Sequence, residues 1–290
     1  MAEVDVRVLR EQHREALTRF LDNRPDTHLF LRSNLAKGRL EDEGKRHDGT
    51  WVGTVRDDGT VTSIAALFWN GVCLLQTPAH IDEILDMLAA AAPRELIELC
   101  GPTGQVERAL LHGLVRDRPL KSRHDASVMR LPLGQLAVPT ALEAKSVDCR
   151  PPMGEELGLL GEWHAAFNDE VFGDPRSPES DLKARQWIRA MHNERRDVVA
   201  TVDDQPVAYC ALTGSLDDEI NVGAVYTPPE LRGRGYARCA VAGLLRDATR
   251  DGAARACLTA IKDNPASLRT YAALGFKEAH DWTITRFFPS

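Results

Sequence analysis

Residues 4–9 alternate apolar and polar side chains, the two-residue period of a strand with one buried face. The period then lengthens. Segments 11–21 and 28–40 carry apolar residues three and four apart and predict amphipathic helices. Runs rich in β-branched and apolar residues at 50–56, 60–69 and 72–76 predict three strands, with Asp57-Asp58-Gly59 and Asn70-Gly71 as the hairpin turns between them. Segment 80–91 is helical again and stops before Pro93. Segment 95–99 reads as a strand, 103–113 as a helix and 125–131 as a strand.

The second half repeats this order. A strand at 146–150 precedes two helices between 154 and 191 and strands at 197–202, 206–213 and 219–226. A helix at 236–250, a strand at 255–261, a helix at 265–274 and a closing pair of strands follow. A repeated element order predicts two copies of one α/β fold, each a mixed, mostly antiparallel sheet flanked by helices. Between them, 132–143 holds two prolines, a glycine and small residues. This places a first domain at 1–135, a linker at 136–144 and a second domain at 145–290.

The second half is organised around 219–237. Its strand runs into Pro228-Pro229, which donate no ladder hydrogen bond. Arg232-Gly233-Arg234-Gly235 follows, and the helix opens at Tyr236. The first turn of a helix offers unpaired N–H groups and the positive end of its dipole to an anion. Gly233 and Gly235 permit positive φ and close backbone approach, Ala237 is small, and Arg232 and Arg234 add forked donors. The stretch therefore suits a phosphate. It lacks the Gly-Lys-Ser/Thr of a triphosphate loop, and Arg238 stands where Gly-x-Gly-x-x-Gly needs its third glycine. In the first half, Leu75-Gln76-Thr77-Pro78 matches Val225-Tyr226-Thr227-Pro228 but passes straight into Ala79-His80-Ile81. That half lacks the glycine-rich loop and is predicted to bind no phosphate.

Arg232-x-x-Gly235-x-Ala237 resembles the Arg/Gln-x-x-Gly-x-Gly/Ala signature of the GNAT superfamily of N-acetyltransferases. Asn264-Pro265-Ala266-Ser267, Tyr271 and Leu274-Gly275-Phe276 resemble the second motif of that family. The run 225–230 looks most like the branch related to glycine N-acyltransferases. The resemblance spans 145–290 and makes the first half a degenerate copy. It implies that acetyl-CoA is the co-substrate, with Val225, Tyr226 and Thr227 along its pantetheine arm. It implies that Arg232, Gly233, Arg234, Gly235, Tyr236 and Ala237 hold the pyrophosphate, and that Asn264 and Ser267 touch the coenzyme. Glu219, thirteen residues before Arg232, would be the base for an acceptor amine, and Tyr271 the acid toward the coenzyme sulfur.

Each of these residues also has a local reading. Glu219 closes the acidic run Asp217-Asp218-Glu219 and is equally a solvated strand end, or part of an attractant for cationic amines. Tyr271 is equally a ring packed beside Leu268, and Asn264 a helix N-cap. The acceptor pocket would come from the two helices that carry Trp163, His164, Phe167 and Trp187, whose spacing also suits a core.

Composition narrows the partners. A net charge of −7 argues against nucleic acid. No apolar run approaches the length of a membrane span, and the first residues lack a signal-peptide pattern. The six cysteines include no Cys-x-x-Cys, which predicts free thiols, no metal site and a cytoplasmic setting. The expectation is a cytoplasmic N-acetyltransferase acting on a small-molecule or peptide amine. The alternatives are a non-catalytic acyl-CoA-binding module and an enzyme with a longer acyl donor.

Overall fold

The computed structural model describes residues 4–24 and 29–289. In the first half, β1 (Val4–Val8) leads through a 3-10 turn into α1 (Arg14–Asp22) and α2 (Leu29–Lys37). Then come β2 (Gly49–Arg56), β3 (Val61–Phe68), β4 (Val72–Gln76), α3 (Ile81–Ala91), β5 (Glu98–Pro102), α4 (Thr103–Ala109) and β6 (Leu120–Pro132). A four-residue helix, α5 (Thr140–Glu143), precedes β7 (Asp148–Arg150), α6 (Leu157–Phe172) and α7 (Pro178–Asn193). The chain continues as β8 (Asp197–Val202), β9 (Gln205–Leu216), β10 (Glu219–Tyr226), α8 (Tyr236–Arg250), β11 (Arg255–Ile261), α9 (Pro265–Ala273) and β12 (Lys277–Phe287). The second half thus repeats the first, element by element. No helix of the described residues is long and apolar enough to cross a membrane.

Several boundaries differ from the sequence reading. The helix expected from residue 28 is observed from Leu29, and His28 lies outside the described residues. The strand expected at 95–99 is displaced to Glu98–Pro102, because ladder partners decide it: Cys73 pairs with Leu99 and Leu74 with Cys100. The helix expected to reach 113 ends at Ala109. The expected closing pair of strands is the single strand β12, uninterrupted by glycine or proline.

The chain forms two compact units, neither continuous in sequence. Unit 1 comprises Met1–Ser127, Ile261–Asp263 and Ala279–Ser290; unit 2 comprises Val128–Ala260 and Asn264–Glu278. In unit 1 the strands lie in the order β1-β2-β3-β4-β5-β12 and then the first part of β6. In unit 2 the order is the rest of β6, then β11-β10-β9-β8-β7. Parallel pairing occurs at β4–β5 and β10–β11. The two halves have therefore exchanged final strands. β12 pairs with β5 in unit 1, Ile284 opposite Cys100 and Thr285 opposite Leu99.

The cores follow from this. In unit 1, Ile84, Leu85 and Leu88 of α3 pack with Leu75, Leu99 and Phe287. In unit 2, α8 packs its small face on β8–β10, with Ala240, Val241, Leu244 and Leu245 against Val198, Cys210 and Val222. Gly243 lets this helix lie close to β7, since a Cβ there would sit 2.5 Å from Cys149 Cβ.

Phe287 belongs to the second half by sequence and to the core of unit 1 by packing. Phe287→Ala is expected to cost about 3–5 kcal/mol by leaving a cavity. Hydrogen exchange should accelerate in β2–β5 before β8–β10. Acceleration confined to β8–β10 would contradict the exchange of strands.

Candidate active site

Glu219–Asn221 of β10 pair in parallel with Arg255–Cys257 of β11. Asn221 marks the end of that ladder, with its Nδ2 donating to Cys257 Sγ at 3.3 Å and its Oδ1 accepting from Thr213 Oγ1 at 2.8 Å. From Val222 onward the two strands part. The parting begins six residues before Pro228-Pro229, which donate no ladder hydrogen bond. Its place is marked instead by irregular pairing of β10 with β9 between Asn221 and Tyr226, where Ala224 adopts φ +50. A bulge of this kind leaves a residue unpaired and turns the strand.

The bulge also breaks the alternation of side chains. Strict alternation puts Glu219, Asn221, Gly223 and Val225 on one face. In the structure Ile220, Val222 and Val225 all pack in the cluster under α8. Ala224 and Tyr226 pack instead with Leu160 and Trp163 of α6 and Ile188 of α7. Val225 has thus left the face of Glu219, and Tyr226 has joined it. Glu219 is 5 % exposed, so it is no solvated strand end. Its neighbour Asp218 is paired with Arg255 at 2.8 Å, and Asp217 is the exposed member of the acidic run.

The loop matches the expectation for its backbone and departs from it for its cations. Gly233 and Gly235 lie at φ +79 and +81, in the left-handed region. Gly235 is the N-cap of α8, and no side chain caps the helix, leaving its first-turn N–H groups to an outside acceptor. No atom lies within 4 Å of a Cβ built on Gly233. Thr227 Oγ1 is buried with no partner among the described residues. These features fit a phosphate-bearing ligand at the loop. Arg232 is already engaged: Nε donates to Thr227 O at 2.9 Å and Nη2 to Glu170 Oε2 of α6 at 2.5 Å. Arg234 is exposed, with one long contact to Glu230 O at 3.5 Å.

On α9, Asn264 is the N-cap, its Oδ1 accepting from Ser267 N at 3.1 Å, while Ser267 Oγ donates to Asn264 O at 2.9 Å. Tyr271 is 9 % exposed and packs edge-on to Phe276 within the α8 core. Burial, reinforced by nearby Cys210, raises its phenol pKa, so it remains protonated at neutral pH.

The aromatic residues of α6 and α7 fill rather than open a space. His164 stacks on Trp187 at 4.1 Å and on Phe167 at 5.9 Å, and Trp163 approaches Tyr226 at 6.3 Å. Burial lowers the His164 pKa to about 4, so the ring is neutral at pH 7. All six cysteines are free.

Unit 1 handles the equivalent position differently. β4 and β5 pair in parallel as far as Leu74 and Cys100, and His80 takes the left-handed N-cap at φ +60. No side chain caps α3 either, but its first turn carries Asp82 and Glu83, whereas the first turn of α8 carries no acid.

Sequence reasoning missed Glu170, Thr213, Asn221 and Gly223. A Cβ on Gly223 would meet Thr213 Cγ2 at 2.7 Å, so only glycine admits that threonine. None of these four carries a motif, because each acts through a partner on another element.

Comparison with known proteins agrees with this architecture. The chain is similar over 98 % of both chains to a Drosophila protein (TM-score 0.70, 12 % identity). It is similar over 98 % of its length, and 95 % of the other, to a GCN5-related N-acetyltransferase from Sphaerobacter thermophilus (TM-score 0.59, 18 % identity). A tandem GNAT protein from the clavulanic acid biosynthesis pathway matches 99 % of this chain with all of its own (TM-score 0.58, 14 % identity). No curated protein sequence matches the chain. Over its full length the chain has the fold of a tandem GNAT protein, and residues 160–276 match the model of the acetyltransferase (GNAT) family.

Proposed function

We propose that the chain is an N-acetyltransferase that takes acetyl-CoA at unit 2 and transfers the acetyl group to a small-molecule or peptide amine. The observation that carries this reading is the loop: two left-handed glycines lead into an uncapped helix N-terminus beside two parted parallel strands. The Arg232 N–H is taken by Pro229 O, so backbone amides from Gly233 to Ala237 would take the pyrophosphate, and Val225–Thr227, freed from β11, would pair with the pantetheine amides. Asn264 and Ser267 have their cap bonds to each other and would meet the coenzyme only at the rim.

Acetyl-CoA supplies the activated thioester, and the chain supplies the proton traffic. Glu219, buried on the face of β10 that α6 and α7 cover, would accept the proton that the amine loses as its nitrogen bonds the acetyl carbon. The C–S bond breaks, and Tyr271 would donate a hydrogen bond to the departing sulfur. An ordinary phenol, with pKa near 10, is a weaker acid than an ordinary thiol, near 8.5, so hydrogen bonding rather than full transfer is the economical role. Unit 1, with Asp82 and Glu83 in the first turn of α3, would bind no coenzyme. The likeness of 225–230 to the glycine N-acyltransferase branch favours testing longer acyl donors as well.

A second reading, a coenzyme-binding module without turnover, draws on the packing of Tyr271 in the core and the use of Asn264 and Ser267 as a cap. Turnover of acetyl-CoA with an amine panel, followed by thiol release, separates the two.

Three variants test the assignment. Gly235→Glu forces a side chain into a left-handed position and puts a carboxylate beside the loop. It should weaken acetyl-CoA binding by at least about 2 kcal/mol; unchanged calorimetric affinity in a folded variant would remove the loop from the site. Glu219→Gln should lower turnover about 10²-fold near neutral pH, with the loss shrinking as pH rises and free amine accumulates. An unchanged rate–pH profile would leave Glu219 without a role as base. Tyr271→Phe should lower kcat about 10- to 100-fold, ~1.4–2.7 kcal/mol of transition-state stabilisation, with less than about a threefold change in coenzyme affinity. A wild-type kcat in this variant would return Tyr271 to packing alone.

A further inference from the structure

Glu170 stands at the end of α6, away from every motif, yet both of its carboxylate oxygens are occupied by residues that bracket the coenzyme turn. Oε1 accepts from Tyr226 Oη at 2.8 Å, and Oε2 accepts from Arg232 Nη2 at 2.5 Å. Arg232 Nε closes the turn on itself by donating to Thr227 O. Its guanidinium also lies over the Tyr226 ring, 5.6 Å from the centroid. Three donors and one carboxylate thus hold the last residue of β10, the start of the loop and the last turn of α6 together.

Charge gives the arrangement its meaning. A lone carboxylate beside an anion site repels the anion. Here the guanidinium of Arg232 neutralises Glu170, and the phosphate is left to backbone amides, the α8 dipole and the exposed Arg234 and Arg238. A planar, forked cation is needed, because one group must satisfy a carbonyl and a carboxylate in fixed directions.

We infer that Arg232 and Glu170 form a latch: Arg232 is a positioning residue that shapes the coenzyme loop, not a phosphate ligand, and Glu170 is its counterpart on α6. The inference rests on the reading of unit 2 as a coenzyme A site. Through the latch, coenzyme bound at the loop also orders the end of α6, the helix that covers the Glu219 face of β10.

The test is a calorimetric titration of coenzyme A into the full chain as wild type, Arg232→Ala, Arg232→Lys, Glu170→Ala and the double variant Arg232→Ala/Glu170→Ala, with circular dichroism confirming the fold. Each alanine variant should weaken binding about fivefold, as for a partly exposed charged pair. The double variant should be no worse than either single one. Arg232→Lys, which keeps the charge and loses the fork, should bind as poorly as Arg232→Ala. Hydrogen exchange should find added protection at 168–172 on coenzyme A binding in the wild type and none in Glu170→Ala. Wild-type affinity in Arg232→Lys, losses that multiply in the double variant, or tighter binding in Glu170→Ala would each overturn the latch while leaving the coenzyme site standing. A wild-type chain that binds no coenzyme A overturns both.

Discussion

Parallel pairing between β10 and β11 holds for Glu219–Asn221 and ends where the Asn221 amide reaches Cys257 Sγ. The candidate site depends on this ending. A ladder continued to Tyr226 would saturate the backbone groups of Val225–Thr227 and close the space between the strands. The alternative arrangement is held in place by Ala224, whose left-handed backbone costs an L-residue ~1–2 kcal/mol. Strain of that size persists where the surroundings over-determine it. Here Val222 is anchored under α8 and Tyr226 under α6, on opposite faces of the sheet; strict alternation would put these two positions, four apart, on one face, and the bulge separates them.

The bulge also organises the chemistry. It brings Tyr226 to the face that carries Glu219 and Asn221, and from there its hydroxyl reaches Glu170. It leaves Val225 on the α8 side, where the helix N-terminus begins. The strand therefore presents a buried carboxylate at one end and the glycine-rich turn at the other, with a stretch between them that is unpaired on its β11 side.

At the candidate loop the exposed cations are Arg234 and Arg238, not Arg232. Arg232 is neutralised by Glu170, and the whole chain carries a net charge of −7. Beside Arg234 and Arg238 the loop offers directional features: N–H groups, two left-handed glycines and a helix dipole. The matching helix of unit 1 illustrates the converse. It keeps the left-handed N-cap at His80 but supplies its own carboxylates, Asp82 and Glu83, to the positive end of its dipole.

The sequence by itself determined what local rules control. β10, α8 and β11 have the boundaries that their periodicity, prolines and glycines predict, and Gly233 and Gly235 take the positive φ for which glycine is suited. The repeated order of elements was legible for the same reason. The tertiary structure alone decided the rest. Glu170 meets Arg232 across 62 residues. β12 lies beside β5 rather than closing its own half. Side chains change face at Ala224, and Glu219 is buried although an acidic run precedes it. Each of these is set by a partner distant in the chain, and a residue's own neighbours carry no record of which distant partner will reach it.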